Sequence, residues 1–119
     1  MTRRTVLVCD NETVLRALVR ATLEPGYEVL EARDGDEALA LMAERPPDLL
    51  LLDMMMPGRT GLDVLAELRA AGNTLPVVMV TARAQAADRV RAADAGADRF
   101  LSKPFSPAEL EALVAELLA

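Results

Sequence analysis

Five short apolar runs, each followed by a segment of helical period, leave this chain little choice of architecture. The runs are Thr5–Cys9, Tyr27–Ala32, Leu49–Leu52, Val77–Val80 and Arg99–Leu101. The third and fourth carry no polar alternation, as expected of strands covered on both faces. Between the runs stand helical segments with their own stops. Thr13–Leu23 carries an apolar stripe at Val14, Leu15, Leu18 and Val19 and meets Pro25-Gly26. Asp34 with Glu37 forms a capping-box pattern that opens a helix to about Glu44, ended by Pro46-Pro47. Gly61–Ala70 is closed by Gly72, and Gln85–Ala95 by Gly96. Ser106, Pro107 and Glu109 supply an N-cap, a first-turn proline and a third-position acid, so a last helix runs to Leu117. The alternation predicts an α/β fold, a (βα)5 doubly wound parallel sheet with right-handed crossovers. At 119 residues the expectation is a single domain over 1–119.

Composition narrows the function classes. Thirteen Lys plus Arg against nineteen Asp plus Glu give a net charge of -6. That balance hides no basic surface of the kind nucleic acid demands, so no direct nucleic-acid contact is expected. Cys9 is the only cysteine, which excludes an internal disulfide. No histidine is present, which removes His-based acid–base catalysis, His metal ligands and a phosphohistidine role. The apolar runs are too short for a signal peptide or a membrane span, so no membrane and a cytoplasmic location are expected.

Sheets of this kind place ligands beyond the carboxyl ends of their strands. The residues read just past the strands are Asp10 and Asn11, Asp53, Thr81 and Lys103. Two acids and an amide suit a hard divalent cation such as Mg²⁺, while a hydroxyl and an ammonium suit a phosphoryl group. Two carboxylates about 5 Å apart repel by on the order of 3 kcal/mol at an effective dielectric of 20, which a cation or Lys103 must relieve. Asp10 or Asn11 also has a plain role open to it, as cap of the first helix. Asp53 does not, because the next helix starts near Thr60. Lys103 is the single lysine among twelve arginines, a point charge where the chain otherwise uses the planar fork.

The segments that carry these residues are Val6-Leu-Val-Cys-Asp10-Asn11-Glu12, Leu49-Leu-Leu-Leu-Asp53-Met-Met-Met-Pro57-Gly58, Val77-Val-Met-Val-Thr81-Ala82 and Phe100-Leu-Ser-Lys103-Pro104-Phe105. Four such segments in order, over the whole chain, resemble the receiver domain of two-component response regulators, including the chemotaxis regulators. The resemblance implies a flavodoxin-like sheet of strand order 2-1-3-4-5. It implies Asp53 as the acceptor of a phosphoryl group from a sensor histidine kinase or a phosphotransfer protein. Asp10, Asn11, Asp53 and the backbone carbonyl of Met55 are then the holders of Mg²⁺. Lys103 pairs with Asp53 and later with the phosphate, and its bond to Pro104 is expected to be cis. Thr81 binds a phosphoryl oxygen, and Phe100 is the aromatic that turns inward with it. Met55 and Arg83 are placed to set the lifetime of the phosphate. The chain is then a switch and not an enzyme, acting on a downstream protein or effector domain through its fourth helix, fifth strand and fifth helix.

Three departures qualify that pattern. Asn11 stands where the family usually has a second acid, and the lost charge is expected to weaken Mg²⁺ binding by roughly 1–3 kcal/mol. Phe100 replaces a more frequent tyrosine. From Ser106 to Ala119 there are three Glu and no Lys or Arg, which argues against a dimer built there on mixed-charge salt bridges, so a monomer or a weak phosphorylation-dependent dimer is expected. The competing reading is a pseudo-receiver that binds its partner without phosphorylation. A complete single-domain regulator and a receiver cut from a longer protein fit the sequence equally.

Overall fold

The computed structural model describes residues 3–82 and 85–119. Five strands and five helices alternate: β1 Thr5–Cys9, α1 Thr13–Leu23, β2 Glu28–Ala32, α2 Gly35–Glu44, β3 Leu49–Asp53, α3 Gly61–Ala70, β4 Val77–Thr81, α4 Ala86–Ala95, β5 Arg99–Ser102 and α5 Pro107–Leu117. All four neighbouring strand pairs are parallel, in the order β2-β1-β3-β4-β5. β3 and β4 are buried along their whole length, which is why their sequences show no polar alternation.

The sheet divides two cores. On one side Val6, Val8, Leu49, Leu51, Val78 and Val80 meet Val19 and Leu23 of α1 and Leu110 and Val114 of α5. On the other side Leu7, Leu50, Leu52 and Met79 meet Ala38 and Met42 of α2, Val64, Leu65 and Leu68 of α3, and Ala92 of α4. Strand alternation assigns successive residues to opposite faces, so each apolar run feeds both cores. The caps expected at Asp34 and Ser106 hold and Thr60 adds another, each accepting a hydrogen bond from the third helical residue. The box is reciprocal at Thr60–Asp63 and Ser106–Glu109, whereas Glu37 Oε1 accepts from the Arg33 N–H at 3.0 Å.

The strand ends differ from the sequence reading by one residue. Asp53, Thr81 and Ser102 are the last residues of their strands and not the first of their loops. A parallel ladder satisfies backbone groups regardless of side chain, so pairing runs on past the last apolar position. Asp53 is in register with Val80, and Thr81 with Ser102. Tyr27 lies before β2, its N–H held by the Leu23 carbonyl at 3.1 Å.

Candidate functional site

The sheet delivers its polar residues to one edge with little freedom. The Asp10 N–H donates to the Ala32 carbonyl at 3.0 Å, extending the end of β1. Its Oδ1 accepts from the Glu12 N–H at 2.8 Å, a local turn that carries the chain into α1. Neither Asp10 nor Asn11 caps that helix; the N-cap is Glu12, and no side chain serves it. Asp53 Oδ1 accepts from the Met55 N–H at 3.1 Å. The Lys103 N–H donates to the Thr81 carbonyl at 2.8 Å, so backbone bonding fixes the lysine beside the threonine. The Lys103–Pro104 peptide is cis, and so is Glu24–Pro25 on the opposite edge, which the sequence reading did not include.

A glycine that the sequence reading passed over shapes this edge. A Cβ on Gly61 would stand 2.2 Å from the Asp53 carbonyl oxygen. Only glycine lets α3 begin against the backbone of Asp53.

Asp10, Asp53 and Thr81 are 1%, 5% and 1% exposed, whereas Asn11 and Glu12 are exposed. A cleft of about 360 Å³ opens over them, lined by Asn11, Glu12, Asp53, Met55, Thr81, Ala82 and Lys103. Into it comes the single ammonium. Lys103 Nζ lies 2.8 Å from Asp10 Oδ2, 3.2 Å from Glu12 Oε1 and 3.7 Å from Asp53 Oδ2. The pairing expected with Asp53 is therefore an ion pair at longer range, while the two hydrogen bonds go to Asp10 and Glu12. Glu12 is a member of this site that the motifs do not single out, although it belongs to the Asp-Asn-Glu run that follows β1.

The electrostatics follow from that crowding. Burial, reinforced by the charges of Asp10 and Glu12, pushes the Asp53 carboxyl up to about 6, against the Met55 hydrogen bond and Lys103, which pull it down. Burial draws the Lys103 ammonium down, but its bond to Asp10, the charges of Asp53 and Asp10 and its bond to Glu12 outweigh that and leave it above its ordinary value. The Cys9 thiol is pushed up to about 12, first by burial and then by Asp10, so it is an inert core group and not a nucleophile.

Of the remaining expected residues, Met55 lines the cleft and Phe100 does not. Met55 is 46% exposed at its rim, while Met54 and Met56 are buried, so the methionine run is mostly core. Arg83 lies outside the described residues. Phe100 is half-buried under α4, with the Arg89 guanidinium 4.6 Å from its ring centre. Among the described residues no three His, Cys, Asp or Glu side chains are placed to enclose a metal ion. Oxygen donors alone, two of them buried carboxylates already drawing in a cation, nonetheless fit Mg²⁺, which takes one or two carboxylates and keeps several waters.

Residues 6–115 match the family model of the response regulator receiver domain. The chain belongs to that family. Among curated relatives, this receiver is 37% identical to the phosphate regulon transcriptional regulatory protein PhoB of Pseudomonas aeruginosa, over 99% of the chain and 53% of that protein. It is 45% identical to the response regulator MprA of Mycobacterium avium, over 95% of the chain and 50% of that protein. The receiver thus spans about half the length of these relatives. Among solved structures it resembles the chemotaxis protein CheY4 of Vibrio cholerae, with a TM-score of 0.92 at 30% identity over 98% of this chain and 99% of that one. The receiver domain of NtrX from Brucella abortus gives 0.88 at 35% identity over 95% and 97%. Receivers are signalling switches of two-component systems, they generally bind Mg²⁺, and response regulators interact with histidine kinases and effector domains. Among the described residues no helix is long and apolar enough to cross a membrane.

Proposed function

We propose that this receiver takes a phosphoryl group onto Asp53 from a phosphohistidine of a sensor kinase or phosphotransfer protein, and that the acyl phosphate alters the α4–β5–α5 face read by a downstream partner. The observation that carries the proposal is a carboxylate only 5% exposed that still lines an open cleft, beside a lone lysine. Burial without occlusion is unnecessary for a structural acid and needed for an acceptor whose product must be shielded from water.

In the transfer a carboxylate oxygen of Asp53 attacks phosphorus, the P–N bond to the donor imidazole breaks, and the imidazole leaves with that electron pair. Catalysis of such a step is alignment and charge neutralisation. Lys103, raised above its ordinary value, stays cationic and neutralises the incoming phosphoryl oxygens. Thr81 offers its hydroxyl to one of them. Asp10, Asn11, Asp53 and the Met55 carbonyl are the groups that would hold Mg²⁺, which would supply further charge neutralisation. Because Asn11 brings an amide where a charge is usual, the Mg²⁺ concentration required is higher. Access for a protein donor is also present: an apolar groove of about 280 Å³ adjoins the cleft, lined by Leu15, Leu18 and Phe105 and sharing Glu12, Ala82 and Lys103 with it.

The test is the intact mass after incubation with a small phosphodonor and Mg²⁺, beside an Asp53→Asn control. One phosphate on the parent and none on the control is the expected result. No adduct on folded parent at high Mg²⁺ and short times would overturn the proposal in favour of a phosphate-independent binding module.

A further inference from the structure

We infer that Arg16 is a positioning residue for the cation pocket: its guanidinium holds the backbone carbonyl of Asp10 and so fixes the turn that presents the Asp10 carboxylate. The inference rests on the Mg²⁺ reading above and names a residue of that site that neither the motifs nor the cleft reveals.

The Asp10 carbonyl falls between two ladders. The last pairs of β1 are at Cys9, with Ala32 and with Leu52, and α1 begins only at Thr13. The first helical acceptor is the Glu12 carbonyl, which takes the Arg16 N–H at 3.2 Å. Sheet and helix therefore both leave the Asp10 carbonyl unpaired, and a backbone acceptor in that position costs free energy unless something else pairs it. Arg16 does so. Its Nη1 donates to that oxygen at 2.7 Å, shorter than its bonds to Glu31 Oε1 at 3.1 Å and Thr13 Oγ1 at 3.4 Å. The side chain is only 14% exposed, so water competes poorly for the bond.

Four contacts then define Asp10. Its N–H is on Ala32, Oδ1 on the Glu12 N–H, Oδ2 on Lys103 and its carbonyl on Arg16. The Lys103 contact is conditional, because a lysine that neutralises a phosphoryl group leaves Asp10. Arg16 does not line the cleft, so a group entering there does not compete for its bond directly. Glu31 anchors the guanidinium from β2, and its other oxygen takes Arg20 Nε at 2.9 Å. The acid that faces the cation is thus braced through α1 to the neighbouring strand. Partners of this kind, one bond behind a metal ligand, set its orientation.

A purely structural Arg16 would do no more than dock α1 on β2, and Arg20 provides the control because it shares Glu31 without touching Asp10. The experiment is calorimetric titration of unphosphorylated parent, Arg16→Gln and Arg20→Gln with Mg²⁺, well below the melting temperature of each. Arg16→Gln is expected to bind about tenfold more weakly and Arg20→Gln within about twofold of the parent. Arg16→Lys, which keeps the charge but not the fork, serves in the same direction if Arg16→Gln does not fold. Equal affinity in parent and Arg16 variants, or an equal loss in Arg20→Gln, overturns the inference. A parent that binds no Mg²⁺ overturns the functional reading itself.

Discussion

Helices α3 and α4 are ten residues each and pack on the same side of the sheet, yet α3 buries Gly61, Val64, Leu65 and Leu68 whereas α4 buries only Asp88 and Ala92. α3 starts in a reciprocal capping box; α4 starts at Ala86 behind Gln85, whose side chain makes no cap bond. The strands beneath them differ in the same sense, since β3 is buried throughout and β5 buries only Leu101. At its far end α4 is tied by polar contacts. Gly96, at φ 105°, closes the helix, and Arg69 donates to its carbonyl at 2.8 Å while its Nη1 reaches the Leu75 carbonyl at 2.9 Å. The proposed acceptor thus sits on the half held by apolar burial, and the α4–β5 part of the proposed output on the half held by a few replaceable contacts, while α5 is anchored by Leu110 and Val114. A switch needs that division, because repacking costs least where least is buried.

The largest effect that separates the halves is expected from their side chains. Leu65→Ala in α3 removes a fully buried leucine and is expected to cost about 2–5 kcal/mol. Val90 in α4 is 57% exposed, and Val90→Ala is expected to stay within about 0.5 kcal/mol. Denaturant unfolding of both variants measures the contrast, and comparable losses would erase it.

The rigid half also carries a cost that pH exposes. Asp53 is raised from 3.8 to about 6 in the folded chain, so between these values the folded state binds more protons than the unfolded one. Its contribution is fully present below about pH 3.8 and is lost as pH rises through about 6. Asp10, Glu12 and Lys103 face it there. Without Mg²⁺, Asp53→Asn is expected to gain on the parent with rising pH, by at most on the order of 3 kcal/mol near neutrality. Paired melting curves at pH 4 and 7.5 decide this; a constant difference would mean that Asp53 is not held at a raised value.

That cost was not legible in the sequence, although the fold was. Apolar runs, turn residues and caps are local signals, and they located all ten elements. The strand-end rule then brought Asp10, Asp53, Thr81 and Lys103 to one edge. What pattern does not encode is how the groups share partners once there. Lys103 bonds to Asp10 and Glu12 in preference to Asp53 because three carboxylates compete for one ammonium, a matter of distances and not of residue types. Gly61 owes its place to a backbone contact with a residue eight positions earlier, which a helical pattern conceals. Arg16 reads as one more polar position on α1 and turns inward onto the Asp10 carbonyl and Glu31, neither of which a helical pattern displays.

The smallest expected effect tests whether α4 is loose by itself or through one contact. Arg89 covers the Phe100 ring at 4.6 Å and donates to Ser102 Oγ at 3.2 Å, joining α4 to β5 on the outer side of the sheet. A cation over an aromatic face at an accessible site contributes about 0.5–1 kcal/mol, and one hydrogen bond adds a similar amount. Arg89→Ala is therefore expected to lower global stability by no more than about 1–2 kcal/mol. Its local consequence is larger than its global one, because α4 has little apolar burial to fall back on. Amide exchange should quicken in the first turns of α4 and leave α3 unchanged, and the Phe100 ring resonances should shift. Quickening in α3 to the same degree would show that the two helices open as one unit, and the division between an acceptor half and an output half would not hold.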